Sequence, residues 1–274
     1  MIAQPGKIRY KDNYVHCLKM GQGPRLLIAF HGFGNDAGIF APLAERLQDI
    51  YTTVSINLPG HGETDWHARY MKKEDLMAIV QGVRNDFGTE KFSLAGYSLG
   101  GRICLNIAEL QPNWIDHLFL FASDGLQRNF WYEMATRNII GKAVFKQMLE
   151  KPEQWLKRAA LLKKWQLIDE SRYKFARFKL TDPSVRKQLK YVWPVTSKLI
   201  AALPLVKWNI KKYKVDVLVF MGKHDRIFPV AQAERFVKGL KKAEMHVINT
   251  GHDLLQADYL DEIHQCIVHR INKP

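Results

Sequence analysis

Cysteine is scarce in this 274-residue chain, with Cys17, Cys104 and Cys266 only. They are odd in number, far apart and without metal-ligand spacing. That excludes a disulfide framework and a cysteine-built zinc site, and suits free thiols in a reducing compartment. No apolar run approaches the ~18 residues of a membrane-spanning helix. The opening Met-Ile-Ala-Gln-Pro-Gly-Lys lacks the apolar core of a secretory signal. These absences lead us to expect a soluble, cytoplasmic protein. There is no internal repeat, no low-complexity tract and no nucleic-acid-binding motif, so no nucleic-acid partner is expected.

What is present is a chain of 47% hydrophobic residues, enough for a sizeable core. Ile8 to Met20 reads as an opening hairpin. Apolar strand runs follow at 26–30, 52–57, 91–95 and 117–122, with helical patterns near 37–48 and 73–87 between them. After residue 215 the alternation resumes: strand 215–221, helix 230–240, strand 244–249, helix 256–271. Strands alternating with helices imply a mostly parallel sheet covered on both faces. From Asp124 to about Val206 the strands stop. Helical patterns at 127–149, 152–164, 169–179, 183–192 and 195–202 predict a helical insertion. The expected division is a core of 1–123 and 207–274 and a helical cap of 124–206.

The chemistry is written at strand ends. Gly96-Tyr97-Ser98-Leu99-Gly100-Gly101 follows an apolar strand and opens a helix. A G-x-S-x-G turn there holds Ser98 on a sharp corner with its hydroxyl exposed. Upstream, His31-Gly32-Phe33-Gly34 ends the strand 26–30. Its glycines let the Phe33 N–H turn toward developing negative charge, and the Leu99 N–H at the helix start is a second donor. Downstream, Gly222-Lys223-His224-Asp225 follows a strand and offers a carboxylate. Gly251-His252-Asp253 follows the last strand and offers an imidazole. Nucleophile, acid and base thus come in the order Ser98, Asp225, His252. Asp124, past strand 117–122, is the alternative acid, and His61 in Pro59-Gly60-His61-Gly62 reads as structural.

With these strings, and with LPGHG at 58–62, the chain resembles the α/β-hydrolase superfamily over nearly its whole length. The resemblance implies an α/β-hydrolase fold with a helical lid. It implies Ser98 as nucleophile, His252 as general base, Asp225 as its orienting acid, and Phe33 with Leu99 as oxyanion donors. Serine, rather than aspartate, at the nucleophile position argues against the dehalogenase and epoxide hydrolase branches. The implied activity is hydrolysis of an ester, thioester or related acyl bond in a small-molecule substrate, with no metal and no organic cofactor. Tyr97-Ser98-Leu99-Gly100-Gly101-Arg102, with Gly125-Leu126-Gln127, also resembles the menaquinone-pathway lyase branch. That branch eliminates pyruvate with the same triad, and it implies Arg102 and Gln127 as carboxylate contacts; Tyr97 joins them as a substrate-binding candidate. Glu133 departs from its pattern, which has a second lid arginine. A third reading is a non-catalytic small-molecule-binding protein on the same fold.

The charge is uneven. Arg128–Lys214 holds 21 Lys and Arg against 6 Asp and Glu, net +15, while the remainder is at −1 within a total of +14. The competing readings are a solvated helical face, an anionic substrate or membrane surface drawn by this field, and nucleic-acid binding, for which no motif is present. Trp131, Trp155, Trp165, Trp193 and Trp208 lie in or beside this stretch. They suit a core or the pocket of an apolar acyl group. Oligomeric state is not readable.

Overall fold

The computed structural model describes residues 2–166, Tyr173, Arg177 and residues 180–273. Strands and helices are numbered in chain order among these. Eight strands form one sheet in the order β1-β2-β4-β3-β5-β6-β7-β8. They are β1 (Gln4–Tyr10), β2 (Asn13–Met20), β3 (Arg25–Phe30), β4 (Tyr51–Ile56), β5 (Phe92–Tyr97), β6 (Ile115–Phe121), β7 (Asp216–Gly222) and β8 (Ala243–Ile248). The pairs β1/β2 and β2/β4 are antiparallel, and all others are parallel. All residues of β4 and β5 are buried. Burial on both faces is why these strands show no inward–outward alternation, their hydroxyl residues Thr52, Thr53, Ser55 and Ser93 being buried with the rest.

The helices are α1 (Ala41–Arg46), α2 (Lys73–Phe87), α3 (Leu99–Leu110), α4 (Phe130–Arg137), α5 (Ile139–Glu150), α6 (Pro152–Lys164), α7 (Pro183–Val195), α8 (Leu203–Tyr213), α9 (Val230–Val237) and α10 (Ala257–Ile271). α3 is buried along residues 99–108, which explains its apolar sequence. α10 contributes Leu260, Ile263 and Ile267 to the buried cluster that also holds Phe121, Phe220 and Tyr51. That i, i+3, i+7 spacing is the stripe of a helix packed on a sheet.

The chain divides into two compact units. The first holds residues 1–67, 71–128 and 198–274, and carries the sheet. The second holds 68–70 and 129–197. The expected cap of 124–206 therefore exceeds the second unit at both ends. At its start, the Asp124 N–H donates to the Ser98 carbonyl at 2.9 Å, tying residue 124 to the sheet unit. At its end, the helix expected at 195–202 is absent, and α8 begins at Leu203. Pro204 is the reason: it sits in the first turn, where its missing N–H costs nothing. α8 belongs to the sheet unit, where Asn209 Nδ2 donates to the carbonyls of Ala108 and Glu109.

Within the second unit, the pattern expected as one helix over 127–149 is two helices. Asn138 breaks it by capping α5, accepting from the Gly141 N–H at 3.0 Å. Its core sets Phe145 against Trp193 with ring centroids 4.9 Å apart. Tyr132 adds an edge contact to Trp193, and its hydroxyl bonds the Trp193 carbonyl at 3.1 Å. The expected helix 169–179 lies, apart from Tyr173 and Arg177, outside the described residues.

Candidate active site

Ser98 sits between β5 and α3 with φ 51° and ψ −116°, a left-handed conformation that costs an L-residue energy. Its surroundings hold it there. The Ser98 N–H donates to Phe121 O at 2.9 Å, and its carbonyl accepts from Gly101 and Asp124. The two glycines of the turn are steric necessities. A Cβ on Gly100 would lie 1.8 Å from Phe30 O, and one on Gly96 would lie 2.6 Å from the Gly101 Cα.

Asp225 and His252 come from neighbouring parallel strands. The loops after β7 and β8 are laced together, with the Lys223 N–H on Ile248 O at 2.8 Å and the His224 N–H on Thr250 O at 2.9 Å. Gly222 allows this approach, because a Cβ there would meet Gly251 O at 1.8 Å. The result is a relay. His252 Nε2 is 3.1 Å from Ser98 Oγ, and His252 Nδ1 is 2.8 Å from Asp225 Oδ2. Asp225 Oδ1 accepts from the N–H groups of Ile227 and Phe228 at 2.7 and 3.0 Å. Asp225 is buried, and ionised it is a pure acceptor, so Nδ1 must carry the proton and Nε2 is left to accept one. Asp124, the alternative acid, faces Arg102 and the Gly125 N–H.

Phe33 and Leu99 flank this relay in sequence. Leu99 is the first residue of α3 and is buried; Phe33 is half-buried on the loop after β3. That loop lies against the nucleophile, since a Cβ on Gly32 would stand 3.1 Å from Ser98 Cβ. Two imidazoles brace it. His31 Nδ1 is 2.7 Å from Gly32 O, and its Nε2 accepts from the Leu58 N–H at 3.0 Å. His61 Nε2 accepts from the Gly34 N–H at 3.2 Å, and its ring stands edge-on to that of His31, 4.7 Å away. Burial, and then the neighbouring His61, push the His31 pKa down from 6.5 to about 3. Burial lowers His61 as well. Both rings are therefore neutral at pH 7. His31 was not singled out from sequence; its position just before Gly32 was the only available sign.

The expected substrate contacts are placed differently from one another. Tyr97 is buried; its hydroxyl lies 3.2 Å from Asp253 Oδ1 and 3.3 Å from His252 O, with its ring 5.4 Å from the His252 ring. Burial and then Asp253 raise its pKa, so it stays a donor that anchors the loop of the base. Arg102 is buried with its Nε 3.4 Å from Asp124 Oδ2. Gln127 is exposed on the segment after β6. Cys104 is fully buried in α3, and desolvation raises its pKa, which makes the thiol inert. Among the described residues, no group of three or more His, Cys, Asp or Glu is placed to hold a metal ion.

A serine on a strained strand-to-helix turn, on a mostly parallel eight-stranded sheet, defines a class. The chain belongs to the alpha/beta hydrolase fold family, whose sequence profile matches residues 25–256. Over 105 residues it is 33% identical to the pimeloyl-[acyl-carrier protein] methyl ester esterase of Pseudoalteromonas atlantica, covering 38% of this chain and 39% of that enzyme. The match thus spans well under half of that curated relative. Over 275 residues it is 21% identical to the 2-hydroxy-6-oxononadienedioate/2-hydroxy-6-oxononatrienedioate hydrolase of Escherichia coli, covering 95% and 91%. Among solved structures, the 2-hydroxy-6-oxo-6-phenylhexa-2,4-dienoate hydrolase of Rhodococcus sp. strain RHA1 superposes with TM-score 0.65 at 22% identity, covering 99% of this chain and 100% of that one. The carboxylesterase CesB of Bacillus subtilis gives 0.65 at 16% identity, covering 99% and 92%. These structural likenesses speak to the fold.

Proposed function

We propose that the protein is a serine hydrolase that cleaves an ester, thioester or similarly activated acyl bond in a small-molecule substrate. The observation that carries this reading is the relay from Ser98 Oγ through His252 to Asp225, at 3.1 and 2.8 Å. His252 takes the Ser98 proton as the oxygen attacks the acyl carbon. The N–H groups of Phe33 and Leu99 hold the oxyanion. The imidazolium, steadied by Asp225, gives its proton to the leaving group. Water activated by His252 then releases the acyl group from Ser98.

Gln127 is the solvent-exposed candidate for a polar contact with the acyl group. Tyr97 and Arg102 act through what they hold: the His252 loop and Asp124. A dicarboxylate substrate is the second reading. It is favoured by the net charge of +15 over residues 128–214 and by the near full-length relative, whose named substrates are dioates.

The test is labelling with a fluorophosphonate and mapping the adduct by mass spectrometry. The adduct should sit on Ser98 and be absent from Ser98→Ala, which should stay folded while kcat on an aryl ester falls at least ~10³-fold. Retained turnover in folded Ser98→Ala would overturn the reading. A panel of neutral and dianionic acyl donors then separates the two substrate classes.

A further inference from the structure

The helix α6, Pro152–Lys164, is an anomaly of burial. None of its residues is buried, although it carries Trp155, Leu156, Leu161 and Leu162. Trp155, Leu156, Ala159 and Lys163 are half-buried and share one side. The opposite side is in solvent. Leu161 is 52% exposed, Leu162 39%, and Trp165, in the turn that ends the helix, 66%. Helical spacing aligns Lys157, Leu161 and Trp165 at steps of four, with Lys164 seven residues after Lys157. Arg158 and Leu162 form the adjoining row at the same step. The outward side therefore sets Leu161 and Trp165 beside Lys157 and Lys164, with Arg158 between them and Leu162, which lies at the flank next to Trp155; all six are exposed.

Water alone does not favour that arrangement. Each large apolar side chain left exposed forgoes the gain of burial, and a surface helix ordinarily turns such residues inward. The same insertion also exposes Phe130, Ile139, Ile140 and Val144. Exposed apolar residues and the excess positive charge therefore lie in one stretch of chain.

We propose that the outward face of α6 docks on an anionic lipid bilayer. The bilayer supplies both things this face lacks. Its acyl boundary takes in Leu161, Leu162 and the Trp165 ring, and tryptophan suits that depth because its ring is apolar with one polar N–H. Its phosphates and acidic headgroups attract the cations beside them. A bilayer asks for no fixed pairing geometry, so it accepts charge spread along the insertion: Lys142 and Lys146 on α5, Lys157, Arg158 and Lys164 on α6, and Arg186, Lys187 and Lys190 on α7. An acidic protein would instead need its carboxylates set against these cations in a fixed geometry. Among the described residues no helix is long and apolar enough to cross a membrane, so the contact is at the surface. This inference does not rest on the catalytic reading.

The experiment is sedimentation of the whole protein with vesicles of equal phosphatidylglycerol and phosphatidylcholine, and with phosphatidylcholine alone. The protein should pellet with the anionic vesicles and stay in solution with the neutral ones. Binding should fall steeply between 0.05 and ~0.5 M salt. Two variants probe the two halves of the face. Leu161→Ser with Leu162→Ser and Trp165→Ser, and separately Lys157→Glu with Arg158→Glu and Lys164→Glu, should each weaken binding at least ~10-fold. All six positions are exposed, so both variants should keep the wild-type circular dichroism and Tm. No pelleting with anionic vesicles would overturn the proposal. So would equal pelleting with neutral vesicles, or wild-type binding in both variants. Retention on immobilised poly-glutamate without vesicle binding would assign the face to an acidic protein and overturn the bilayer.

Discussion

Replacing Asp225 with asparagine should separate the two jobs of its carboxylate. Oδ1 accepts from Ile227 and Phe228, and Oδ2 accepts from His252 Nδ1. An asparagine has one acceptor oxygen and one donor NH₂. The two backbone N–H groups can be satisfied only by the oxygen, so the NH₂ is turned toward His252. Nδ1 must then become the acceptor, and the ring proton moves to Nε2, 3.1 Å from Ser98 Oγ. In that tautomer His252 has no lone pair for the serine proton. The expected loss is on the order of 10⁴ in kcat, about 5.5 kcal/mol of transition-state stabilisation. Stability should hardly move, because every hydrogen bond at position 225 is kept in number; Tm should stay within ~3 °C.

Asp225→Ala makes the contrast. It leaves two buried N–H groups without an acceptor, at ~1–3 kcal/mol each, and Tm should fall by several degrees. The assay is steady-state hydrolysis of an aryl ester beside a thermal melt for each variant. Asp225→Asn retaining more than about a tenth of wild-type kcat, or Asp124→Asn proving the crippling change, would refute the reasoning.

Other outcomes follow from the same geometry. Gly100→Ala should displace the nucleophile turn, because its Cβ would overlap Phe30 O, with ~3 kcal/mol or more lost in a urea titration and activity lost alongside. His31 stays neutral in the folded protein down to about pH 3, whereas the unfolded chain takes up its proton near 6.5. Its contribution is complete above pH 6.5 and is lost as pH falls toward 3, amounting to about 3 kcal/mol between pH 7 and 4.5. His31→Gln should flatten that part of the stability–pH curve, and an unchanged slope would remove His31 as its source. If the basic insertion draws in anionic substrates, kcat/KM for a charged acyl donor should fall as salt rises to ~0.5 M, while a neutral ester of the same acyl group changes little. Equal salt responses would return that charge to a solvated surface.

The parts legible in the sequence share a physical cause. β3, β5 and β7 are buried almost throughout, so each reads as a mostly apolar run. Ser98 and Asp225 each stand just past such a run, His252 follows the half-buried β8, and their order could be read along the chain. α2 and α6 have the expected bounds because Gly88 stops one in the left-handed region and Pro152 starts the other. What was not legible depends on partners distant in sequence. His31 is explained by Leu58, Tyr97 by Asp253, and Arg102 by Asp124, and no local pattern announces those pairings. The α4–α5 break was missed because a capping asparagine looks like any polar residue on a helix. The helical pattern over 195–202 did not reveal α8, which Pro204 starts from its first turn.

The bond from His31 to Gly32 O has an electronic side. Gly32 O and the Phe33 N–H are opposite ends of one peptide group, a conjugated dipole. A donor held 2.7 Å from the oxygen draws density from the nitrogen, and the N–H becomes a more acidic, stronger donor. Because His31 keeps one tautomer across the working pH range, this polarisation is constant. The Phe33 N–H is therefore held polarised by a ring that is itself buried from solvent.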